Sequence, residues 1–152
     1  MVREIKFRGK RVDNGEWAYG YLAVYTDGSC YITTKIERNI TRYVKGKPFY
    51  IISRMEYEVD PETVGQYTGS EDKKGVKAYE GDIVKCTESF PDELEFISKI
   101  FWGGSGFLVK KGAIYYPVDI YDSNPGRVSL NKMEIIGNTH DNPELLEVPG
   151  ND

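Results

Sequence analysis

From Ile5 the chain alternates apolar and charged positions, with Ile5 and Phe7 set against Lys6 and Arg8, the period of two expected of a strand. Asp13-Asn14-Gly15 follows and is a strong short-range hairpin signal. The return strand puts Trp17, Tyr19, Tyr21 and Tyr25 on one face and Ala18, Leu22 and Val24 on the other. With both faces apolar, this strand is either central and covered on both sides or offers an aromatic surface to a partner, and core is the preferred reading. Thr26-Asp27-Gly28-Ser29 supplies the next turn, and the β-branched and aromatic run Cys30 to Thr34 predicts a third strand. Residues 35 to 47, rich in Lys and Arg and followed by Pro48, read as an exposed, mobile loop before a strand over Phe49 to Tyr57. Asp60-Pro61 closes this region, since a residue before proline is pushed toward extended geometry.

The stretch Val59 to Val84 packs turn punctuation between short apolar runs: Val64 to Thr68, a polar turn over Gly69 to Gly75, Val76 to Tyr79, the turn Glu80-Gly81-Asp82, and Ile83 to Cys86. These pieces are too short for helices. Gly81 suits a positive φ, and the Asp82 carboxylate can accept backbone N–H groups where the chain enters the next strand. Further strands are predicted at Phe96 to Trp102, Phe107 to Val109, Ala113 to Tyr116, Val128 to Leu130 and Met133 to Ile136. One helical turn is expected around Pro91 to Glu95 and another at Glu144 to Leu146, the latter capped by Asn142. Regularly spaced short strands indicate a small barrel or sandwich. The expected organisation is a β-rich N-terminal portion, residues 1–58, and a barrel lobe, residues 59–152, in one compact unit, with the boundary between Met55 and Pro61.

At 152 residues and 39% hydrophobic content the chain is long and apolar enough to build a core. No apolar run approaches a membrane span, and none of signal-peptide length follows the first residues, so the expected location is the cytoplasm. Cys30 and Cys86 are too few for a disulfide framework or a four-cysteine zinc site and are expected to be buried thiols. The net charge of -4 conceals an asymmetry: residues 1 to 55 carry 11 Lys and Arg against 5 Asp and Glu, and the remainder 9 against 19. Such a split fits a basic binding face, an assembly interface or two mutually attracting portions.

Three stretches resemble the YopX family of phages and prophages of low-GC Gram-positive bacteria. They are Arg3-Glu4-Ile5-Lys6-Phe7-Arg8 with Trp17-Ala18-Tyr19-Gly20-Tyr21-Leu22, the block Val59 to Val84, and Ile135-Ile136-Gly137-Asn138 with Asn142-Pro143-Glu144-Leu145-Leu146. The resemblance implies an SH3-type barrel in the second part, a β-rich portion before it and a phage or prophage origin. It implies no mechanism and no catalytic residue. Ser70-Glu71 and Ala78 stand where that family more usually has an apolar residue, and residues 35 to 58 and 87 to 130 match none of its hallmarks, so these segments are expected to differ most.

His140 is the only histidine, which removes imidazole-based triads and most multi-histidine metal sites. Beside Asp141 it reads as a polar loop residue. Glu62, Glu71, Asp72, Glu80 and Asp82 lack EF-hand spacing and read as a solvated acidic face. Gly103-Gly104-Ser105-Gly106 lacks the Lys-Ser/Thr of a phosphate loop and reads as a hairpin turn. Neither catalysis nor a metal nor a cofactor is expected. Two function classes remain. One is a module for binding a protein partner or another copy of the chain, for which tyrosine and arginine are suited. The other is nucleic-acid binding through the N-terminal portion. The contact residues expected in either case are Lys6, Arg8, Lys10, Arg11, Tyr19, Tyr21, Lys35, Arg38 and Arg42, with the cations on phosphates and the rings on bases in the second case. Net acidity favours the first.

Overall fold

The computed structural model describes residues 3–86, 95–119 and 128–147. It is mainly β, its described helical residues being short 3-10 turns at Pro61–Thr63, Leu130–Lys132 and Pro143–Glu147. The chain divides between Val64 and Gly65, with Ile5–Val64 forming one unit and Gly65 onward, joined by Arg3 and Glu4, forming the other.

The first unit is an antiparallel sheet of β1 (Phe7–Lys10), β2 (Trp17–Val24), β3 (Cys30–Val44) and β4 (Lys47–Val59), in the spatial order β4-β3-β2-β1. Alternation along these strands sends Ala18, Cys30, Ile32 and Val59 into a small core, flanked by Phe7, Leu22, Tyr57 and Val64. The expected boundary at Val59 is therefore displaced. Val59 is the last residue of β4, paired with Cys30 and 1% exposed, so it belongs to the first unit. Gly20 lets β2 and β3 meet closely. A Cβ there would lie 2.0 Å from the Thr33 carbonyl oxygen, so no other residue fits without moving backbone.

The expected loop at residues 35–47 is instead a long ribbon. β3 and β4 pair from Cys30↔Val59 to Val44↔Lys47, and the tip turns on Lys45 and Gly46 with φ of 49° and 74°. Two consecutive positive-φ residues make the tight turn whose twist matches that of paired strands. Register shifts next to Thr34 and Thr41 place an extra residue in β3 at each point, while β4 runs without interruption. The Thr34 hydroxyl donates to the Met55 carbonyl and the Thr41 hydroxyl to that of Phe49, each at 3.3 Å.

The second unit begins with β5 (Gly65–Glu71) pairing β6 (Lys77–Tyr79), so the expected turn over Gly69 to Gly75 starts later than its glycine suggests. A three-stranded sheet orders β13 (Met133–Asn138), β7 (Asp82–Cys86) and β8 (Phe96–Lys99). A four-stranded one orders β12 (Val128–Ser129), β11 (Ile114–Asp119), β10 (Phe107–Lys111) and β9 (Phe101–Trp102), with β11 and β12 parallel. None of these sheets closes into a barrel. The expected Phe96 to Trp102 strand breaks at Ile100, which is fully buried with Ala78, Val84, Cys86, Phe96, Val109, Leu130 and Met133. Of the helical turn expected around Pro91 to Glu95, all but Glu95 lies outside the described residues.

Two buried carboxylates brace the second unit, which corrects the reading of both as part of a solvated acidic face. Asp82, 3% exposed, accepts the Tyr79 N–H at 2.8 Å across the Gly81 turn. Asp72, 4% exposed, accepts the N–H groups of Lys74 and Val76 at 2.9 Å and of Ile135 at 3.0 Å. Burial raises the Asp72 pKa, but the three backbone donors outweigh it and hold the carboxyl below its ordinary value. Gly81 has a φ of 90°, donates its N–H to Ile100 and accepts that of Thr139, both at 2.8 Å.

Two outcomes follow from this bracing. Gly81→Val forces a branched side chain into the left-handed region and lowers stability by about 1–3 kcal/mol, read by thermal or urea unfolding; an unchanged melting temperature refutes it. For Asp72 the folded pKa lies below the unfolded value of about 3.9, so its contribution is present above that pH and is lost as pH falls through the folded value. Asp72→Asn is accordingly less stable than wild type at neutral pH, by about 1–3 kcal/mol. The gap narrows below about pH 4 in unfolding curves taken from pH 2 to 7.

Candidate contact surface

Pairing in the first unit puts Arg8, Lys10, Trp17, Tyr19 and Tyr21 on the face of the β1–β2 sheet turned away from its core. The expectation that this aromatic face is covered holds only in part: Arg8 is buried, whereas Tyr19 is 42% and Tyr21 64% exposed.

The basic residues expected beside these tyrosines are largely engaged. Arg8 is buried, its guanidinium 4.6 Å from the centre of the Trp17 ring, and the Lys10 ammonium lies 5.6 Å from the same ring. Arg11 stacks on Tyr57 at 3.8 Å and donates Nε and Nη2 to the two carboxylate oxygens of Asp13, at 2.9 and 2.6 Å. That fork holds the Asp13 carboxyl below its ordinary pKa and raises that of Arg11. Lys6 precedes β1 and is half-buried. These four cations do not form one open phosphate-binding patch.

Lys35, Arg38 and Arg42 stand on β3, beyond the bulge where it leaves β2. From Thr34 to Val44 the ribbon extends about 35 Å at the usual strand rise, and nearly every residue on it is exposed. Register assigns its two faces. One carries Ile36, Arg38, Ile40, Tyr43, Tyr50, Ile52 and Arg54; the other Lys35, Glu37, Arg42, Val44, Phe49, Ile51 and Met55. Arg38 lies over the Tyr50 ring at 4.3 Å and Arg42 over Phe49 at 5.2 Å, while Lys35 pairs with Glu37 at 2.6 Å. Between residues 35 and 55 there are six Lys and Arg against one Glu.

The apolar half of this surface was missed in the sequence: Ile36, Ile40, Tyr43, Val44, Phe49, Tyr50, Ile51, Ile52 and Met55 are all at least 41% exposed. Its signal was Lys45-Gly46 as a two-residue turn between β-branched, aromatic runs. The density of basic residues had been read as loop.

Elsewhere the candidates resolve into structure. His140 is exposed in a turn, its backbone N–H bonded to the Asn138 side-chain oxygen. Cys30 and Cys86 are buried and form no disulfide. Burial pushes the Glu80 carboxyl up. Among the described residues no three His, Cys, Asp or Glu side chains are grouped to hold a metal ion, and no helix is long and apolar enough to cross a membrane.

The fold is similar to the crystal structure of protein EF1440 from Enterococcus faecalis, with a TM-score of 0.61 and 22% identity over 95% of this chain and 99% of that one. No curated protein matches the sequence. The family model described as YopX protein matches residues 6–147, which takes in the aromatic sheet, the ribbon and the braced turns of the second unit, and the chain therefore belongs to the YopX protein family.

Proposed function

We propose that this is a phage- or prophage-encoded, non-catalytic interaction module of the bacterial cytoplasm, with the β3–β4 ribbon as its contact arm. The observation that carries the reading is apolar exposure on both faces of a two-stranded ribbon: Tyr43 is 66% exposed on one and Ile51 56% on the other. A lone ribbon is marginally stable in water, and apolar patches of this kind mark surfaces that bind. Rings stacked under Arg38 and Arg42 add the residue types enriched where proteins meet. For the second unit we propose a variant of the SH3-type barrel. The family resemblance supports it, as do its short strands around one apolar cluster and the 3-10 turn Leu130–Lys132 leading into β13.

A second reading rests on the ribbon tip, where Arg42, Lys45 and Lys47 adjoin Tyr43 and Phe49. Cations interleaved with rings also suit single-stranded nucleic acid. The net charge of -4 weighs against it.

Tyr43→Asp/Phe49→Asp is expected to leave the melting temperature unchanged, because both side chains are exposed. The same variant should abolish capture of the protein partner retained by tagged wild type in prophage-bearing cells. Undiminished capture by the folded variant counts against the arm. Fluorescence anisotropy with a labelled oligonucleotide separates the second reading. Weak binding from low to physiological salt, unaltered by Arg42→Glu/Lys45→Glu/Lys47→Glu, is the expected outcome. Binding that weakens with a log-log slope of about -0.7 per phosphate, and that this change removes, supports nucleic acid instead.

A further inference from the structure

Resting on the contact-arm reading, we propose that the arm's occupant is a second copy of this chain, joined edge to edge through β4 in antiparallel register about a two-fold axis at Ile52. β4 is the outer strand of its sheet. Its far end is closed, because Val12 donates to the Glu58 carbonyl, Arg11 bridges Val59 and Asp60 donates to Lys10. Among the described residues no strand pairs with the outer edge from Lys47 to Tyr57. That stretch contains Phe49-Tyr50-Ile51-Ile52 and runs without a bulge, both irregularities lying in β3. Long, regular, apolar edges are the ones that natural proteins pair or disrupt. Here Lys47 and Pro48 guard only the tip end.

Symmetry then selects the register. Two identical antiparallel strands related by an axis normal to the sheet place one residue opposite its own copy, because any other offset would put equivalent residues on opposite faces. The open stretch from Lys47 to Tyr57 has Ile52 at its midpoint. Centring there sets Tyr50 opposite Arg54, Phe49 opposite Met55 and Ile51 opposite Ser53 of the other copy. No like charges meet, a guanidinium faces a ring and a thioether faces a ring, each a favourable cross-strand pair. The Arg54 side chain is 59% exposed and its ion pair with Glu56 is long, at 3.9 Å, so its guanidinium can turn to this contact. Axes at Ser53 or beyond require Val59 or later residues, whose edge is already occupied.

The test uses the full chain in light scattering and oxidative cross-linking. Wild type is expected at twice the chain mass. Ile52→Lys, which sets two ammonium groups against each other on the axis, is expected at once the chain mass with an unchanged circular dichroism spectrum, and its melting temperature no longer rises with protein concentration. Ile36→Lys adds the same charge to an exposed site on inner strand β3 and should keep the double mass. In Ile52→Cys the two new thiols face each other within disulfide reach, and mild oxidation should give a covalent dimer. In Ile51→Cys the equivalent positions are about 7–8 Å apart, too far to bridge, and no dimer should form. Native Cys30 and Cys86 are buried and do not compete. A wild type of single mass, a double mass that survives Ile52→Lys, or equal cross-linking at positions 51 and 52 overturns the proposal. Single mass together with partner capture that Tyr43→Asp/Phe49→Asp abolishes defeats self-pairing and leaves the arm as a docking surface for a different protein. Independence of both mass and capture from the arm defeats the contact-arm reading as well.

Discussion

A two-stranded ribbon has no third layer, and the character of the first unit depends on that constraint. As long as β3 runs between β2 and β4, alternation gives each residue an inside and an outside, and Ile32 and Val59 are buried. At Thr34 one extra residue bends β3 away from β2, and from there inside and outside lose their meaning. The same alternation that buries Ile32 then leaves Ile36 and Ile40 in solvent. Gly20 makes the last close approach before this departure, with the Thr33 carbonyl in the space a side chain would need.

Positive charge in the first unit does two kinds of work. Near the core, Arg8 and Arg11 cover Trp17 and Tyr57, so their guanidinium planes serve as packing surface, that of Arg11 with its rim bonded to Asp13. On the ribbon, Arg38 and Arg42 shield one face of Tyr50 and Phe49 and leave the other face open. The same pairing of arginine with a ring thus packs one region and only half covers the rings of another.

Local features were legible from residues alone. Asp13-Asn14-Gly15 marked the first hairpin, and Gly81 with Asp82 marked a turn that has the positive φ and carboxylate-to-backbone bond expected of it. What failed were inferences that needed to know which surfaces lie against one another. Tyr19 and Tyr21 looked like core because apolar residues occupied both faces of their strand, yet the unit has one apolar layer, on the Ala18 side. Residues 35 to 47 looked like loop because lysine and arginine usually mark solvent. They do mark solvent here, on a strand. Asp72 could not be separated from its acidic neighbours, since its third donor, Ile135, lies 63 positions away. Of the expected contact residues, Tyr19, Tyr21, Lys35, Arg38 and Arg42 are exposed, whereas Arg8 is buried and Arg11 is engaged with Asp13.

That separation of Asp72 from Ile135 also bears on the order in which the chain acquires structure. The ribbon closes from its own tip, each added pair lying beside the last, and hairpins of this kind form in about 1–10 μs. The Asp72 brace must wait for β13, and closing so long a span precedes any gain from it. During synthesis the ribbon's residues leave the ribosome well before Ile135 exists. For that interval the growing chain presents its stickiest surface while its second unit still lacks one of the bonds that hold it together.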